Sequence, residues 1–269
     1  MKEAPVRSLD EFIHSYMRDF ENSEVAANQL SSPAPVLFRG VCNADWQLET
    51  TLERFGRHNC KVSDYMEYVT RCLPEYTSYN RRTITANDSK LHYKKWRELS
   101  QDHKMLDLLV ELRHYGFPSP LLDWTRSPYV AAYFAFNRAL GPLSSINAVA
   151  IYALQCDLGK GNYGWVGEAN IHTVQGHFVD ADRHHIQQAR YTICYQKMET
   201  TGGEADVFMP HSHGFLSSDD HQNRLIKYVL PMHIRNETLE ELQLMNINSF
   251  TLFRSPEGLC EYLAQRHIY

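Results

Sequence analysis

The sequence predicts an α+β fold, a single domain in which helices flank a mixed or antiparallel sheet. Two observations lead to this prediction. Helical periodicity dominates the first half of the chain, whereas apolar, β-rich runs alternate with helical segments in the second half. No internal repeat, low-complexity tract or long linker divides the 269 residues. We therefore expect an N-terminal helical segment at residues 1–30 and one α+β domain at residues 31–269.

Helices are predicted where apolar residues recur at a spacing of three or four. Ser8 is a favoured N-cap for the first helix, and Gly116 suits the C′ position of a long helix that follows a loop. Pro128 lies in the first turn of another helix, where its missing N–H has no cost. The expected helices span residues 8–20, 62–81, a stretch ending at 116, 128–140, 236–247 (capped) and 253–266.

Strands are predicted where short runs are rich in β-branched and aromatic residues. Residues 45–55, DWQLETTLERF, are expected to form a loop that returns to a turn. The expected strands are VLFRG at 36–40, INAVAIYALQ at 146–155, RYTICYQ at 190–196 and RLIKYVLP at 224–231.

The composition excludes several classes of protein. With 43% hydrophobic residues, a formal charge of -5 and a pI near 6.3, the chain has no basic excess of the kind that marks a general nucleic-acid binder. A local basic cleft stays compatible with this balance. The six cysteines are scattered without a C-x-x-C pair, which favours free thiols over a zinc site or disulfides. Neither a signal peptide nor a membrane helix is predicted, so we expect a cytoplasmic protein.

Polar and aromatic residues are densest just before the alanine-rich helix. Asp123, Trp124, Thr125 and Ser127 precede its buried face, behind the turn YGFP. A carboxylate, an indole and two hydroxyls at the start of a buried helix favour a site for a ligand. The alternative is that they only fix the turn beneath the core.

Four blocks of the sequence resemble the FRG domain family. The first is Phe38-Arg39-Gly40 with its followers Asn43, Asp45, Trp46, Leu48 and Arg54. The others are HYGFPSPLLDWTRSPYVAAYFA at 114–135, RHHIQQARYTI at 183–193 and the closing strand–helix–strand segment at 227–253. Together the blocks cover residues 36–265. The chain departs from the usual pattern at Arg113 (usually Gln), Pro120 (usually Arg) and Ala189 (usually Gly).

The order of these blocks resembles that of ADP-ribosyltransferases, whose sheet is a split β-sandwich. By this resemblance Arg39 is the first-block residue, Thr125 and Ser127 the second, and Gln188 the third. Most active transferases have Glu at the third position, so Gln188 is a departure, and Glu199 and Glu204 farther along are candidates to replace it. The resemblance implies NAD as the substrate that the site binds.

Cleavage of the nicotinamide–ribose bond needs a pyrophosphate clamp, groups that orient the ribose, and a polar group near the anomeric carbon. Arg39 supplies a planar fork for phosphate oxygens, and Arg126 is a further candidate for that charge. Gly40 would let the backbone approach the ligand. The groups that contact ribose or rings are expected among His114, Tyr115, Trp124, Thr125, Ser127 and Tyr133.

Each assignment has a structural alternative. Arg39 pairs with Asp45 or Asp123 in that alternative, while Asp123 and Ser127 cap the helix. Trp124 and His114 are then core residues, and Gln188 secures a strand end. The histidine pairs His184/His185 and His211/His213 have no companion ligands in sequence, so no metal site is predicted.

The expected function is NAD-dependent ADP-ribosyl transfer to a macromolecular acceptor, with Arg39, Thr125 and Gln188 as catalytic residues. Such an activity suits a toxin or an anti-phage effector, with an antitoxin or a second copy of the chain as partner. The alternative is a module that binds NAD, ADP-ribose or another nucleotide without turnover, as a sensor or scaffold. In a third interpretation all blocks are architecture.

Overall fold

The computed structural model describes residues 2–21, 35–80, 93–137, 146–156, 167–174, 182–201, 203–217 and 223–268. These residues form nine strands, eleven α-helices and a 3₁₀ turn at Met232–Ile234. The strands are β1 (Lys2–Pro5), β2 (Val36–Val41), β3 (Cys60–Lys61), β4 (Leu122–Thr125), β5 (Ala148–Cys156), β6 (Ala169–Val174), β7 (Ala189–Thr200), β8 (Gly203–Phe208) and β9 (Asn223–Pro231). The helices are α1 (Leu9–Glu21), α2 (Thr51–Arg54), α3 (Val62–Asn80), α4 (Trp96–Ser100), α5 (His103–His114), α6 (Pro128–Asn137), α7 (Asp182–Ile186), α8 (His211–Ser217), α9 (Arg235–Leu244), α10 (Ser249–Phe253) and α11 (Pro256–His267).

All nine described strands are connected in one mixed sheet. The pairings run β1-β9-β5-β2-β4-β7-β8-β3, and β6 pairs with the opposite edge of β7. Only β1 and β9 are parallel among these pairs; the others are antiparallel. The predicted α+β class and mixed sheet are therefore confirmed.

The connection between β2 and β4 is the narrowest in the sheet. A single residue pair, Phe38 with Thr125, joins these strands, whereas β2 and β5 share six pairs. The sheet thus consists of two halves that diverge beyond this pair. The split β-sandwich that the resemblance implies stays a prediction.

Each half of the sheet has its own helical cover. Helices α3, α4 and α5 pack their apolar side chains on β7 and β8. Helices α1 and α6 pack on β2, β5 and β9 together with α9 and α10. A third apolar cluster fills the other face around Leu122 and Trp124. Arg39 of β2 and Arg113 of α5 both contact Asp123 of β4, so side chains from both halves of the sheet meet at the β2–β4 junction.

Gly40 is required by the packing of α6 on β2. A Cβ atom at this position would lie 1.9 Å from the carbonyl oxygen of Ala131 and 2.6 Å from the amide nitrogen of Ala135. Backbone atoms cannot move aside as a flexible side chain can. The space on the Cβ side of Gly40 is therefore occupied by α6, and the approach of a ligand to the Gly40 backbone stays a prediction.

Several predicted elements differ in detail from the observed ones. The long helix ending at Gly116 is wrong as one element: it breaks into α4 and α5, because Asp102 caps a new helix by accepting from Met105 N at 3.1 Å. The expected loop at 45–55 contains the one-turn helix α2. Helix α9 begins at Arg235 without a side-chain cap. Arg81 and residues 138–140, the predicted ends of two helices, lie outside the described residues, as does the expected boundary at residues 30 and 31.

The N-terminal segment contributes a strand as well as the predicted helix. Ser8 caps α1, since its hydroxyl accepts from Glu11 N at 3.1 Å. Strand β1 extends the sheet beside β9, and Phe12 of α1 is fully buried against the core. The segment therefore packs on the same core as the rest of the described chain.

Candidate functional site

Arg39 lies where β2 and β4 diverge, and its side chain fills the gap. Its Nη1 donates to the Asp123 carbonyl oxygen at 2.7 Å and to Asp123 Oδ1 at 2.6 Å. The guanidinium thus satisfies a carbonyl for which the short β2–β4 ladder supplies no backbone donor. Of the two partners considered from the sequence, Asp123 is the one that the structure selects. The Asp45 amide donates to Asn43 Oδ1 at 2.9 Å.

A second arginine reaches the same carboxylate from α5. Arg113 Nη2 donates to Asp123 Oδ1, while Arg113 Nη1 donates to Thr51 Oγ1 at 3.2 Å. A third, Arg54 of α2, is close enough that its charge interacts with both of the others. Burial lowers the pKa of Arg54, and the charges of Arg39 and Arg113 lower it further. We call Arg39, Arg54, Arg113 and Asp123 the arginine cluster; its formal charge is positive, three guanidiniums against one carboxylate.

Asp123 remains open to solvent although it belongs to this cluster. Solvent reaches 46% of its side-chain surface. Burial raises the pKa of its carboxyl, but the charges of Arg113 and Arg39 outweigh that effect and hold the pKa well below its usual range. The carboxylate is therefore ionised, paired with two guanidiniums and still accessible to solvent. Asp123 is part of β4 and does not cap α6.

A line of polar side chains extends from the cluster across β7. Tyr191 is the cross-strand partner of Asp123 and is fully buried. Its hydroxyl lies 3.1 Å from His114 Nε2 and 3.4 Å from His184 Nδ1. Burial lowers the pKa of His114, and it lowers that of His184 to about 4. Both imidazoles are therefore neutral at neutral pH, and Tyr191 can exchange hydrogen bonds with them.

The hydroxyls predicted to orient ribose hold the chain turn before α6. Thr125 is buried; its Oγ1 donates to the Gln187 carbonyl at 2.7 Å and accepts from Ser127 N at 3.0 Å. Ser127 Oγ accepts from Val130 N at 3.3 Å, which makes Ser127 the N-cap of α6. These contacts agree with the structural alternative for Ser127.

Gln188 lies at the start of β7 in a left-handed conformation with φ of 49°. Its side chain is exposed, and its carbonyl accepts from Arg126 N at 3.1 Å. The next residue, Ala189, pairs with Thr125. The structure therefore brings Gln188 beside the Thr125 turn, three residues along the strand from Tyr191.

Glu199 and Glu204 lie at the far end of β7. They face each other in the β7–β8 hairpin, and Lys95 Nζ donates to Glu204 Oε2 at 2.6 Å. Eight residues of extended strand separate Glu199 from Tyr191, a distance of about 26 Å. Neither glutamate reaches the arginine cluster.

The aromatic candidates divide by burial. Trp124 and Tyr133 are core residues, and Trp124 Nε1 donates to Thr192 Oγ1 at 2.8 Å. Tyr115, next to His114, is 71% exposed. Trp46 is 54% exposed, and its carbonyl accepts from Tyr152, the cross-strand partner of Arg39, at 3.3 Å. Exposed rings suitable for stacking are thus Tyr115 and Trp46.

One family model matches the part of the chain that contains the arginine cluster. The FRG domain model matches residues 34–142. The chain contains an FRG domain. No curated protein and no solved structure matches the chain.

All four members of the arginine cluster lie within the matched FRG segment, whereas Tyr191, His184 and Gln188 come from the chain beyond it. The arginine cluster therefore comes entirely from the FRG segment, and strand β7, which follows later in the chain, pairs with β4 beside it. Arg113, a departure from the usual FRG pattern, supplies a guanidinium beside Asp123 in a chain that has Pro120 where the pattern has Arg. Arg126 lies near Arg190: burial lowers the pKa of Arg190 most, and the charge of Arg126 lowers it further.

Sequence reasoning missed Arg54, Arg113 and Tyr191 as members of the site. Arg54 was visible as part of the opening motif, and Arg113 as the unusual residue before His114. No local signal marks Tyr191, because it resembles any aromatic residue on a buried strand.

Two further observations concern metals and membranes. Within the described ranges no group of three or more His, Cys, Asp or Glu side chains is arranged to hold a metal ion. Of the helices that the structure describes, none has the length and apolar character to cross a bilayer.

Proposed function

We propose that the arginine cluster of this FRG domain binds the pyrophosphate of NAD or of a related nucleotide. The observation that carries the proposal is the pairing of Arg39 and Arg113 with one accessible carboxylate, near the charge of Arg54, in a chain whose overall charge is -5. Guanidinium charge in excess of the carboxylate charge favours an anionic ligand, and planar guanidiniums match phosphate oxygens in pairs.

The first candidate activity is ADP-ribosyl transfer to a macromolecular acceptor. Arg39 and Arg54 hold the pyrophosphate, and Tyr115 or Trp46 stacks on a ring of the substrate. The guanidiniums of Arg39 and Arg113 bind Asp123 through Oδ1, so Oδ2 is the oxygen available to a ribose hydroxyl or to the cationic anomeric carbon. Thr125 acts by holding the turn that places Asp123, and Gln188 offers its exposed amide at the start of β7.

In the transfer step the bond between the anomeric carbon and the nicotinamide nitrogen breaks, and the bonding electrons go to nicotinamide. The acceptor's nucleophilic atom forms the new bond to the anomeric carbon and loses its proton. His114 is neutral and hydrogen-bonded to Tyr191, so it is the candidate to take that proton.

The second candidate is a module that binds NAD or ADP-ribose without turnover. The position of Glu199, about 26 Å along β7 from Tyr191 and paired with Glu204 of β8, favours it, because neither of these two glutamates then completes the site. In this case Asp123 only organises the arginines, and the domain acts as a sensor or scaffold.

The test measures nicotinamide release from NAD and the binding of NAD and ADP-ribose by the purified chain, with and without cell lysate. Three proteins are compared: wild type, Arg39→Ala and Asp123→Asn. Release that requires both residues supports transfer, and dependence on lysate identifies a macromolecular acceptor. Binding that requires Arg39, with no release, supports the second candidate. If neither NAD nor ADP-ribose binds, the proposal is wrong.

A further inference from the structure

Helix α2 is a single turn that carries two parts of the site. Its first residue, Thr51, accepts from Arg113 Nη1 at 3.2 Å, and its last residue, Arg54, is the third guanidinium of the cluster. A helix of four residues is not stable by itself in water. Its place beside Arg113 therefore depends on contacts with the rest of the fold.

One set of these contacts joins α2 to the loop after α5. Ser119 N donates to Thr51 Oγ1 at 2.9 Å, and Leu52 N donates to the Ser119 carbonyl at 3.2 Å. These bonds hold the first half of the turn. They do not reach its second half, where Arg54 lies.

The second half is held through Glu53, which faces the interior. Glu53 is 7% exposed, and its Oε1 accepts from Thr50 Oγ1 at 2.9 Å. His211 Nδ1 lies 3.6 Å from the same oxygen, and His211 is completely buried. Burial raises the pKa of Glu53, but the interactions with His211 and Thr50 outweigh it and leave the pKa below its usual value. Glu53 is therefore a buried carboxylate.

His211 is itself held in place from the other side. Its Nε2 lies 3.1 Å from Thr192 Oγ1, and Trp124 Nε1 donates to that oxygen at 2.8 Å. An indole can only donate, so the Thr192 hydroxyl is free to donate its proton to His211 Nε2. The remaining proton of the neutral imidazole then lies on Nδ1, toward Glu53. The chain of contacts thus connects α2 to the central strand β7.

We infer that Glu53 and His211 are positioning residues of the anion site: they fix α2 on β7 so that Thr51 and Arg54 stay aligned with Arg113. Neither residue contacts the ligand, since both are buried. The inference rests on the proposed function for the ligand that the site takes, although the position of α2 does not depend on what the ligand is. Loss of the pair frees Arg54 to leave the cluster, which lowers the affinity for anions.

The experiment combines amide hydrogen exchange with binding. Exchange is followed by mass spectrometry in peptides that cover residues 50–57, and affinities for ADP-ribose and inorganic pyrophosphate are measured by calorimetry. The variants are Glu53→Ala, Glu53→Gln and His211→Gln. The control is Asp206→Asn, a carboxylate with similar burial that accepts from Trp96 N at 2.7 Å and holds α4 instead of α2.

In Glu53→Ala we expect exchange in residues 50–57 to be about tenfold faster and both affinities to fall about tenfold, because local opening of α2 competes with the aligned state. Glu53→Gln keeps the contact with Thr50 and should recover most of the affinity. Asp206→Asn should leave both readouts at the wild-type value. His211→Gln, which changes α8 and not α2, should resemble Glu53→Ala.

Wild-type exchange and affinity in both Glu53→Ala and His211→Gln would overturn the inference, as would an equal effect of Asp206→Asn. If wild-type protein binds neither probe, the proposed function fails and exchange alone decides the positioning. Faster exchange in residues 50–57 then supports it, and unchanged exchange overturns it. Should Glu53→Ala not fold, His211→Gln decides in the same way.

Discussion

Asp123 and Glu53 are two carboxylates near the same site, but their surroundings differ. Both have a lowered pKa, and each is held by basic side chains. Asp123 keeps 46% of its side-chain surface open and lies among three arginines. Glu53 is closed to solvent and faces one neutral histidine. An accessible carboxylate among several arginines leaves positive charge that can accept a further anion, whereas a buried carboxylate beside a neutral imidazole has no spare positive charge and can only hold the structure in place.

The largest effect on ligand affinity is expected for Arg39→Ala, which removes one guanidinium from the arginine cluster. Two charge-assisted hydrogen bonds and a phosphate clamp are lost, so the affinity for ADP-ribose should fall about 100-fold. Calorimetry measures it. Arg71→Ala is the matched control, because Arg71 pairs with Glu67 within the surface of α3. Equal affinities for the two variants would contradict a clamp at Arg39.

A second effect concerns His184, one of the two histidines beside the Tyr191 hydroxyl near the arginine cluster. The pKa of His184 is about 4 in the folded protein, mainly through burial, against about 6.5 in an unfolded chain. The unfolded state therefore binds the proton first as the pH falls from 6.5 toward 4, and the fold loses stability in this window. From pH 8 to pH 5 the loss from His184 is about 2 kcal/mol.

Urea unfolding at pH 8 and pH 5 measures this loss. In His184→Gln the free energy of unfolding should decline less between the two pH values, by about 2 kcal/mol, whatever its value at pH 8. The other histidines with lowered pKa, His114 and His211, are present in both proteins and cancel. The same decline in both proteins would show that His184 does not titrate in this way.

Trp124→Phe tests the buried contacts that connect Trp124, Thr192, His211 and Glu53. The variant removes the donor to Thr192 and should lower the free energy of unfolding by about 1–2 kcal/mol. Because the indole is buried and contacts no ligand in this arrangement, the affinity for ADP-ribose should stay within about twofold of wild type. Thermal unfolding and calorimetry on one sample measure both. A loss of affinity without a loss of stability would make Trp124 a ring-stacking residue after all.

The smallest effect is expected for Asp123→Asn. Removing the negative charge beside the arginines should raise the affinity for inorganic pyrophosphate about threefold at low salt, and less at high salt. Titrations at two ionic strengths measure it, with Glu67→Gln as the control on α3. Weaker binding in Asp123→Asn would mean that the carboxylate is needed to hold the guanidiniums in place.

Long elements could be predicted from the sequence, while short ones could not. Apolar periodicity located α1, α6, β5 and β9 to within a few residues, because each buries a face along its length. The two-residue strand β3 and the one-turn helix α2 have no such period. They exist because neighbours supply their contacts, as Ser119 does for α2.

The site was predicted in the same uneven way. Arg39 was recognisable, since an arginine between a strand and a glycine matched a known motif. The sequence did not decide whether Arg39 pairs with Asp45 or with Asp123. The packing role of Gly40 was not predicted, because a glycine in sequence does not show that a helix fills the space beside it.

By itself, the sequence determined the α+β class, the main helices and strands, the FRG blocks and the acidic overall charge. Each of these follows from local periodicity, composition or motif spacing. Only the tertiary structure decided that Arg39 and Arg113 meet at Asp123, near Arg54, and that Glu199 and Glu204 are remote from them. The reason is that strand pairing brings residues 84 positions apart, Arg39 and Asp123, into contact, whereas an extended strand keeps residues of one segment far apart.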